Sequence, residues 1–233
     1  SRAVENATKA LKEKYPNVAY EYLKKYKDHI TRDKDHCKLL LESVIGIGHP
    51  HRIMWAAEAC HYAGHKDLKE VYLGYSIGFE LKGNLQAAIN ILANNIKKFE
   101  KIPDFYYRLA KLFMVRKENQ GAANMYLQTL QRAPKNMALH LEALNFLSAN
   151  KYWAAAAGIA EKMIAGKVKN SEAMLIMARA LMQGRKPKLA QGLVDQVKTS
   201  MGKMKDNIKK VLLGRYKDVL SPGAPGEKPK AKK

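Results

Sequence analysis

The sequence predicts an all-α protein built from stacked helix–turn–helix hairpins, about six of them, closed by a C-terminal capping helix. Three observations carry this expectation. The stretch "DFYYRLAKLFMVRKENQGAANMYLQTLQRAP", Asp104 to Pro134, holds two apolar runs at helical spacing, a polar joint and a terminal proline. The same arrangement returns every 34 residues. Small residues return with it, at Ala88, Ala110, Ala122, Ala156, Ala178 and Ala190. A larger side chain at such a place would wedge two crossing helices apart.

The first 68 residues read as helical but off this period. Helices are expected over about 2–14, 17–28, 33–46 and 51–63, broken by Pro16 and by "IGIGHPH". They make two irregular hairpins, residues 1–68. The regular units follow as 69–102, 103–136, 137–170 and 171–204. In the first, Tyr72, Tyr75, Ser76 and Phe79 precede Ala88, Leu92 and Asn95. In the second, Tyr106, Leu109, Ala110 and Phe113 precede Ala122, Tyr126 and Thr129. In the third, Ala143, Leu144 and Leu147 precede Ala156, Ala160 and Met163. In the fourth, Met174, Met177, Ala178 and Leu181 precede Ala190, Val194 and Val197. Joints are expected at Gly83-Asn84, Asn119-Gln120-Gly121, Asn150-Lys151 and Gly184, while Pro103 and Pro187 suit the first helical position. Residues 205–220 read as an amphipathic capping helix with Ile208, Val211, Leu212 and Tyr216 on one stripe. The tail 221–233 is rich in Pro, Gly and Lys and cannot bury a core of its own.

This pattern resembles the tetratricopeptide repeat (TPR) family, best in Tyr106, Leu109, Ala110, Phe113, Ala122, Tyr126, Thr129 and Pro134. The resemblance covers residues 69–204. His140 and Met174 replace the first aromatic in the last two units, and neither unit ends in proline. It implies a right-handed superhelical solenoid whose first helices line a concave groove. On this sequence the groove positions are Leu73, Ile77, Tyr107, Lys111, Met114, Leu141, Asn145, Leu175, Arg179 and Met182. They suit a protein partner with an amphipathic or acidic segment. The competing reading is that the chain's own irregular ends cover several of them. Glu142 and Glu172 stand where the family's carboxylate clamp needs donors, so recognition of a C-terminal carboxylate is not expected.

Charge is the compositional outlier: 42 Lys and Arg against 21 acidic residues, a formal +21. Such a surface attracts polyanions, whether an acidic protein face, RNA or anionic lipid. Most of the excess is lysine, a flexible point charge that suits general attachment better than base-specific reading. Weak, sequence-indifferent RNA binding and peripheral contact with an anionic membrane are both compatible with it. Lys228, Lys230, Lys232 and Lys233 of the tail are the expected carriers of the RNA contact. No apolar run approaches the roughly 18 residues of a membrane span.

Catalytic and metal chemistry find little support. Cys37 and Cys60 form no disulfide framework and fit a reducing compartment, cytoplasmic or organellar, though a fold that brought them together could pair them. His61 and His65 are four apart, but Gly64 falls between them at an expected helix end, and His49 and His51 lie at the other end of that helix. No metal site is assigned. "GIGHP" lacks the strand that a dinucleotide loop requires, and no phosphate loop, serine elbow or zinc-protease motif occurs. The expectation is a non-catalytic adaptor or scaffold without a cofactor, a subunit of a larger assembly. An RNA- or ribonucleoprotein-associated repeat protein is the alternative.

Overall fold

The computed structural model describes residues 2–25, 29, 31–166 and 168–221. Among them are fourteen helices and no strand. The first eight are α1 (Arg2–Lys12), α2 (Pro16–Lys24), α3 (Lys34–Ile47), α4 (Pro50–Tyr62), α5 (Lys69–Leu81), α6 (Leu85–Asn95), α7 (Pro103–Val115) and α8 (Asn119–Arg132). The remaining six are α9 (Met137–Ala149), α10 (Trp153–Ala165), α11 (Ser171–Gln183), α12 (Pro187–Met201), α13 (Asp206–Arg215) and α14 (Lys217–Leu220). Contacts divide the chain into two compact units, Ser1–Arg132 and Ala133–Lys233.

The period reaches further than the sequence pattern indicates. The helices that open successive units begin at Arg2, Lys34, Lys69, Pro103, Met137, Ser171 and Asp206, so their starts lie 32, 35, 34, 34, 34 and 35 residues apart. The N-terminal hairpins are therefore near-period members of the array. Their apolar positions are filled by Ala7, Ala10, Leu40, Leu41 and Val44 instead of the aromatic and small pair, which hides the match.

Local chemistry sets the helix ends. Asp33, Asn84, Asn136 and Asn170 accept the backbone N–H of His36, Ala87, Leu139 and Ala173 at 2.9–3.2 Å, satisfying donors that the first turn leaves open. Pro16, Pro50, Pro103 and Pro187 start helices, where no amide hydrogen is needed. Each within-hairpin turn has one left-handed residue: Lys14, Gly48, Gly83, Lys117, Lys151 and Arg185, with φ between 60° and 79°. In five of the six turns the next residue's N–H reaches back five residues, as Glu118 does to the Phe113 carbonyl at 2.9 Å.

One expected joint needs correction: Asn119-Gln120-Gly121 opens α8, and the turn falls just before it, with Lys117 left-handed. At Gly184 the turn lies where expected, with Arg185 as its left-handed residue. Both glycines serve close approach. A Cβ on Gly121 would meet the Phe113 ring at 3.3 Å, and one on Gly184 would meet the Ala157 Cβ at 2.4 Å.

In residues 1–132, each helix packs on the next, and α1 on α3 and α3 on α5. The core runs from Ala7 through Leu41, Ile53, Val71 and Leu92 to Phe105 and Leu112. Cys37, in the first turn of α3, meets Cys60, in the last turn of α4, because the two helices run antiparallel. They are joined as a disulfide with Cα atoms 5.8 Å apart. The sequence left this pairing open; once it is formed, the two cysteines no longer argue for a reducing compartment. In residues 133–221, α9 to α12 pack in sequence, and α14 folds back onto α11 and α12. The small residues behave as predicted in both units: Ala88, Ala110, Ala122, Ala156, Ala178 and Ala190 are fully buried. Among the described residues no helix is long and apolar enough to cross a membrane.

Candidate functional site

The predicted groove residues divide between the two units. In residues 1–132, Leu73 and Ile77 on α5 are half-buried and pack against the core. On α7, Tyr107 presents its ring edge to Tyr126 at 6.3 Å, and the Lys111 ammonium lies 5.7 Å from the Tyr107 centroid. The Met114 sulfur accepts the Tyr126 hydroxyl at 3.3 Å. Tyr107, Lys111 and Met114 stay half-exposed, forming an apolar stripe with one cation.

In residues 133–221, the structure brings Leu141, Asn145 and Arg179 together around a cavity of about 710 Å³. Leu141, Ala173, Ile176 and Trp153 give it apolar surface. Lys151, Asn170, Glu172, Arg215 and Tyr216 supply polar groups. The Ser148 hydroxyl is buried there with no hydrogen-bond partner among the described residues. The lining holds neither histidine nor cysteine; its hydroxyls are those of Ser148 and Tyr216, and its one carboxylate, Glu172, is engaged by Arg215 and Tyr216.

Two predicted residues do not join this cavity. Met182 is half-buried away from it. Leu175 is completely buried, which contradicts its assignment to an open groove. The reason lies on its own helix. Glu172, Leu175 and Arg179 share one face of α11, and the chain end covers that face. Arg179 grips Asp218 with two bonds of 2.8 and 2.6 Å and donates to the Arg215 carbonyl at 3.0 Å. Its guanidinium lies 4.9 Å from the Tyr216 centroid. Glu172 accepts from Arg215 and from the Tyr216 hydroxyl. Burial, reinforced by the Glu172 charge, pushes the Tyr216 phenol above its ordinary range. The hydrogen bond to Glu172 likewise raises the Arg215 guanidinium.

The capping helix itself departs from expectation. It breaks at Tyr216 into α13 and α14, and only Leu212 and Tyr216 of the predicted stripe are buried. Ile208 and Val211 are exposed, because the chain turns at Tyr216 to lay Val219 and Leu220 against the repeat instead. Sequence reasoning missed Lys151, Trp153, Arg215 and Tyr216 as cavity residues, since it placed the groove on first helices alone. The available clue was charge: Glu172 and Arg179 on one helical face match Arg215 and Asp218 across the cap.

Lys228, Lys230, Lys232 and Lys233 lie outside the described residues. The helix carrying His61 ends at Tyr62, so His65 leaves its face and lies 2.8 Å from the Thr31 carbonyl through Nε2. Among the described residues no three His, Cys, Asp or Glu side chains gather as a metal site requires.

No family model matches the sequence. No curated protein matches it. Among solved structures, the chain is similar to PilF of Pseudomonas aeruginosa, with a TM-score of 0.62 and 12% identity over 92% of this chain and 96% of that one. It also aligns with the MamA protein, at a TM-score of 0.47 and 14% identity over 97% and 96% of the two chains. A further alignment is to the TPR2AB domain of yeast Sti1, solved in complex with pHSP90, at 0.39 and 12% over 94% and 97%. With the helix order and the 34-residue period, the likeness to PilF establishes a TPR-like all-α helical-repeat fold.

Proposed function

We propose that this chain is a non-catalytic adaptor that binds a partner protein through the cavity on its last two repeats. The observation that carries the reading is the composition of that cavity. Leu141, Ile176 and Trp153 provide apolar contact, while Asn145, Lys151 and the unpartnered Ser148 hydroxyl present polar groups beside it. Arg179 and Arg215 are already engaged by Asp218 and Glu172, which leaves Lys151 as the rim cation without an ion-pair partner among the described residues. A short amphipathic segment carrying one or two carboxylates matches this arrangement: its apolar side fills the floor and a carboxylate meets Lys151.

The reading is tested by fluorescence anisotropy with a panel of acidic amphipathic peptides and neutral scrambles of the same composition. Combining Asn145→Ala with Lys151→Glu changes two exposed residues and should leave the fold intact. It should weaken the best acidic peptide at least about tenfold, the loss expected when a charged contact is reversed. Equal binding of acidic and neutral peptides, or full binding by the double variant, would remove this cavity as the partner site. Tight, sequence-selective binding of a short RNA that survives high salt would put the RNA reading in its place.

A further inference from the structure

The six within-hairpin turns share one backbone geometry and use two chemistries. The left-handed position is glycine at 48 and 83, but lysine or arginine at 14, 117, 151 and 185. A Cβ in that conformation is disfavoured relative to glycine, so the basic side chains are held there against backbone preference. Strain of that kind directs attention to what the side chain does.

In residues 1–132 the answer lies along one edge. Helices alternate in direction, α1 packs on α3 and α3 on α5, and the Glu80–Arg108 pair ties α5 to α7, so the turns at Lys14, Gly48, Gly83 and Lys117 line up at the same end. Lys14, Arg52, Lys82 and Lys117 are exposed there, and none forms an ion pair with a described residue. Glu13 and Glu118 are the acids of these turns, and Glu118 is held by Arg116 at 2.5 Å. Each turn therefore keeps a net positive charge.

The same edge is studded with apolar side chains. Tyr15, Val18, Trp55, Leu81 and Val115 are 37–58% exposed. They are five of the seven large exposed apolar residues described in this unit; the others are Tyr22 and Tyr62. A cleft of about 280 Å³ opens among Tyr20, His51, Arg52 and Trp55, with the Arg52 guanidinium 5.0 Å from the Tyr20 centroid.

We infer that this edge of residues 1–132 docks on an anionic lipid surface. The cations meet headgroup phosphates, and the apolar side chains enter the boundary between headgroups and acyl chains. Lysine near a negatively charged leaflet gains from the surface potential, and tryptophan and tyrosine favour the headgroup level. RNA fits less well. Val18, Leu81 and Val115 offer bases no ring to stack on, whereas separate aliphatic side chains beside lysines are what insertion into an interface uses. The surface shares no residue with the cavity of the last two repeats, so either assignment can fail without the other.

The test is co-sedimentation of the full chain with vesicles of phosphatidylcholine alone or mixed with phosphatidylglycerol. The mixed vesicles should bind it and the neutral ones should not. Combining Lys14→Gln, Lys82→Gln and Lys117→Gln should weaken binding about a hundredfold, at about fivefold per cation close to such a surface. Combining Leu81→Ser with Val115→Ser should weaken it at least about tenfold and leave the remaining binding more sensitive to salt, since apolar insertion is not screened. A control combining Lys66→Gln, Lys97→Gln and Lys101→Gln at the opposite edge should stay within about twofold, because charges farther than a Debye length from the surface contribute little. Melting curves by circular dichroism confirm that each variant is folded. The inference is overturned if neutral and anionic vesicles bind alike, if the control loses as much as the turn-edge set, or if the serine pair binds as tightly as the parent. It is equally overturned if vesicles fail to bind while a short RNA binds and is lost in the turn-edge variant.

Discussion

The stripes on α7 and α11 occupy the same register, two repeats apart, and meet opposite fates. Asp104, Tyr107, Lys111 and Met114 correspond to Glu172, Leu175, Arg179 and Met182. On α7 the acid reaches back to Lys69 of the preceding repeat, and the lysine rests over the ring of its own neighbour Tyr107. On α11 the acid and the arginine both reach forward, to Arg215, Tyr216 and Asp218. Leu175, on the same face, is fully buried, whereas Tyr107 remains half-exposed. Register therefore tells which face a residue occupies. Whether that face is a binding surface or a core depends on what the chain lays over it, and at the end of an array it lays a cap.

The widest separation between the stripes should come from the residue that closes one of them. Tyr216 is 3% exposed, bonded to Glu172 and stacked against Arg179. Tyr216→Ala should cost about 3–5 kcal/mol, the range for removing a buried aromatic. The two tryptophans report separately, Trp55 in residues 1–132 and Trp153 in residues 133–233. In urea the Trp153 transition should move to lower concentration while Trp55 holds its own. Lys111→Ala, at the position equivalent to Arg179, should shift the Trp55 transition by less than Tyr216→Ala shifts that of Trp153, since Lys111 stays half-exposed. Equal effects would mean that the cap adds nothing to the last repeat.

Where the stripes differ, the small positions beneath them do not. Ala122 and Ala156 lie 34 residues apart and are both fully inaccessible. Ala122→Phe and Ala156→Phe should each overpack a helix crossing and cost about 1–3 kcal/mol, the first read by Trp55 and the second by Trp153. A phenylalanine tolerated at either place without a change in melting temperature would show that its crossing is not close-packed.

The legibility of the sequence follows from the same contrast. Starts at Lys69, Pro103, Met137 and Ser171 could be read because the period is carried by residues that must be small or large whatever their surroundings. The hairpins before residue 69 keep nearly the same spacing, but with Leu40, Leu41 and Ile53 at their contacts, and an aliphatic residue carries no signature of the repeat. Leu141, Asn145 and Arg179, which line the cavity, were legible as groove positions because they lie on first helices. Lys151 was not, since it sits in the turn, nor was Trp153, which opens the second helix. The cap's ties to Glu172 and Arg179 and the union of Cys37 with Cys60 were illegible for one reason: each depends on a partner distant in sequence, 44 residues away from Glu172 at Tyr216 and 23 at the second cysteine. Periodicity constrains neighbours along the helix and is silent about what arrives from elsewhere.

The smallest effect concerns the turns, where the two units should behave alike. Lys117 and Lys151 hold left-handed backbone at φ 60° and 62°, the geometry that Gly83 holds at 79°. In all three turns the following residue bonds back to the carbonyl five positions earlier, from Asn84 to Phe79, Glu118 to Phe113 and Tyr152 to Leu147. The turn is thus the same object with and without a Cβ, and its hydrogen bonds do not rely on the lysine side chain. Lys117→Gly and Lys151→Gly should then relieve a disfavoured conformation while giving up a little unfolded-chain entropy, for a net gain of about 0.5–1 kcal/mol each. Gly83→Lys should lose a similar amount. Because the backbone is shared, the gain read by Trp55 for the first variant should equal the gain read by Trp153 for the second. Should one lysine stabilise its turn and the other not, the side chain must be making a contact in that unit alone, and the turns would have to be treated, like the stripes, as equivalent in register and different in surroundings.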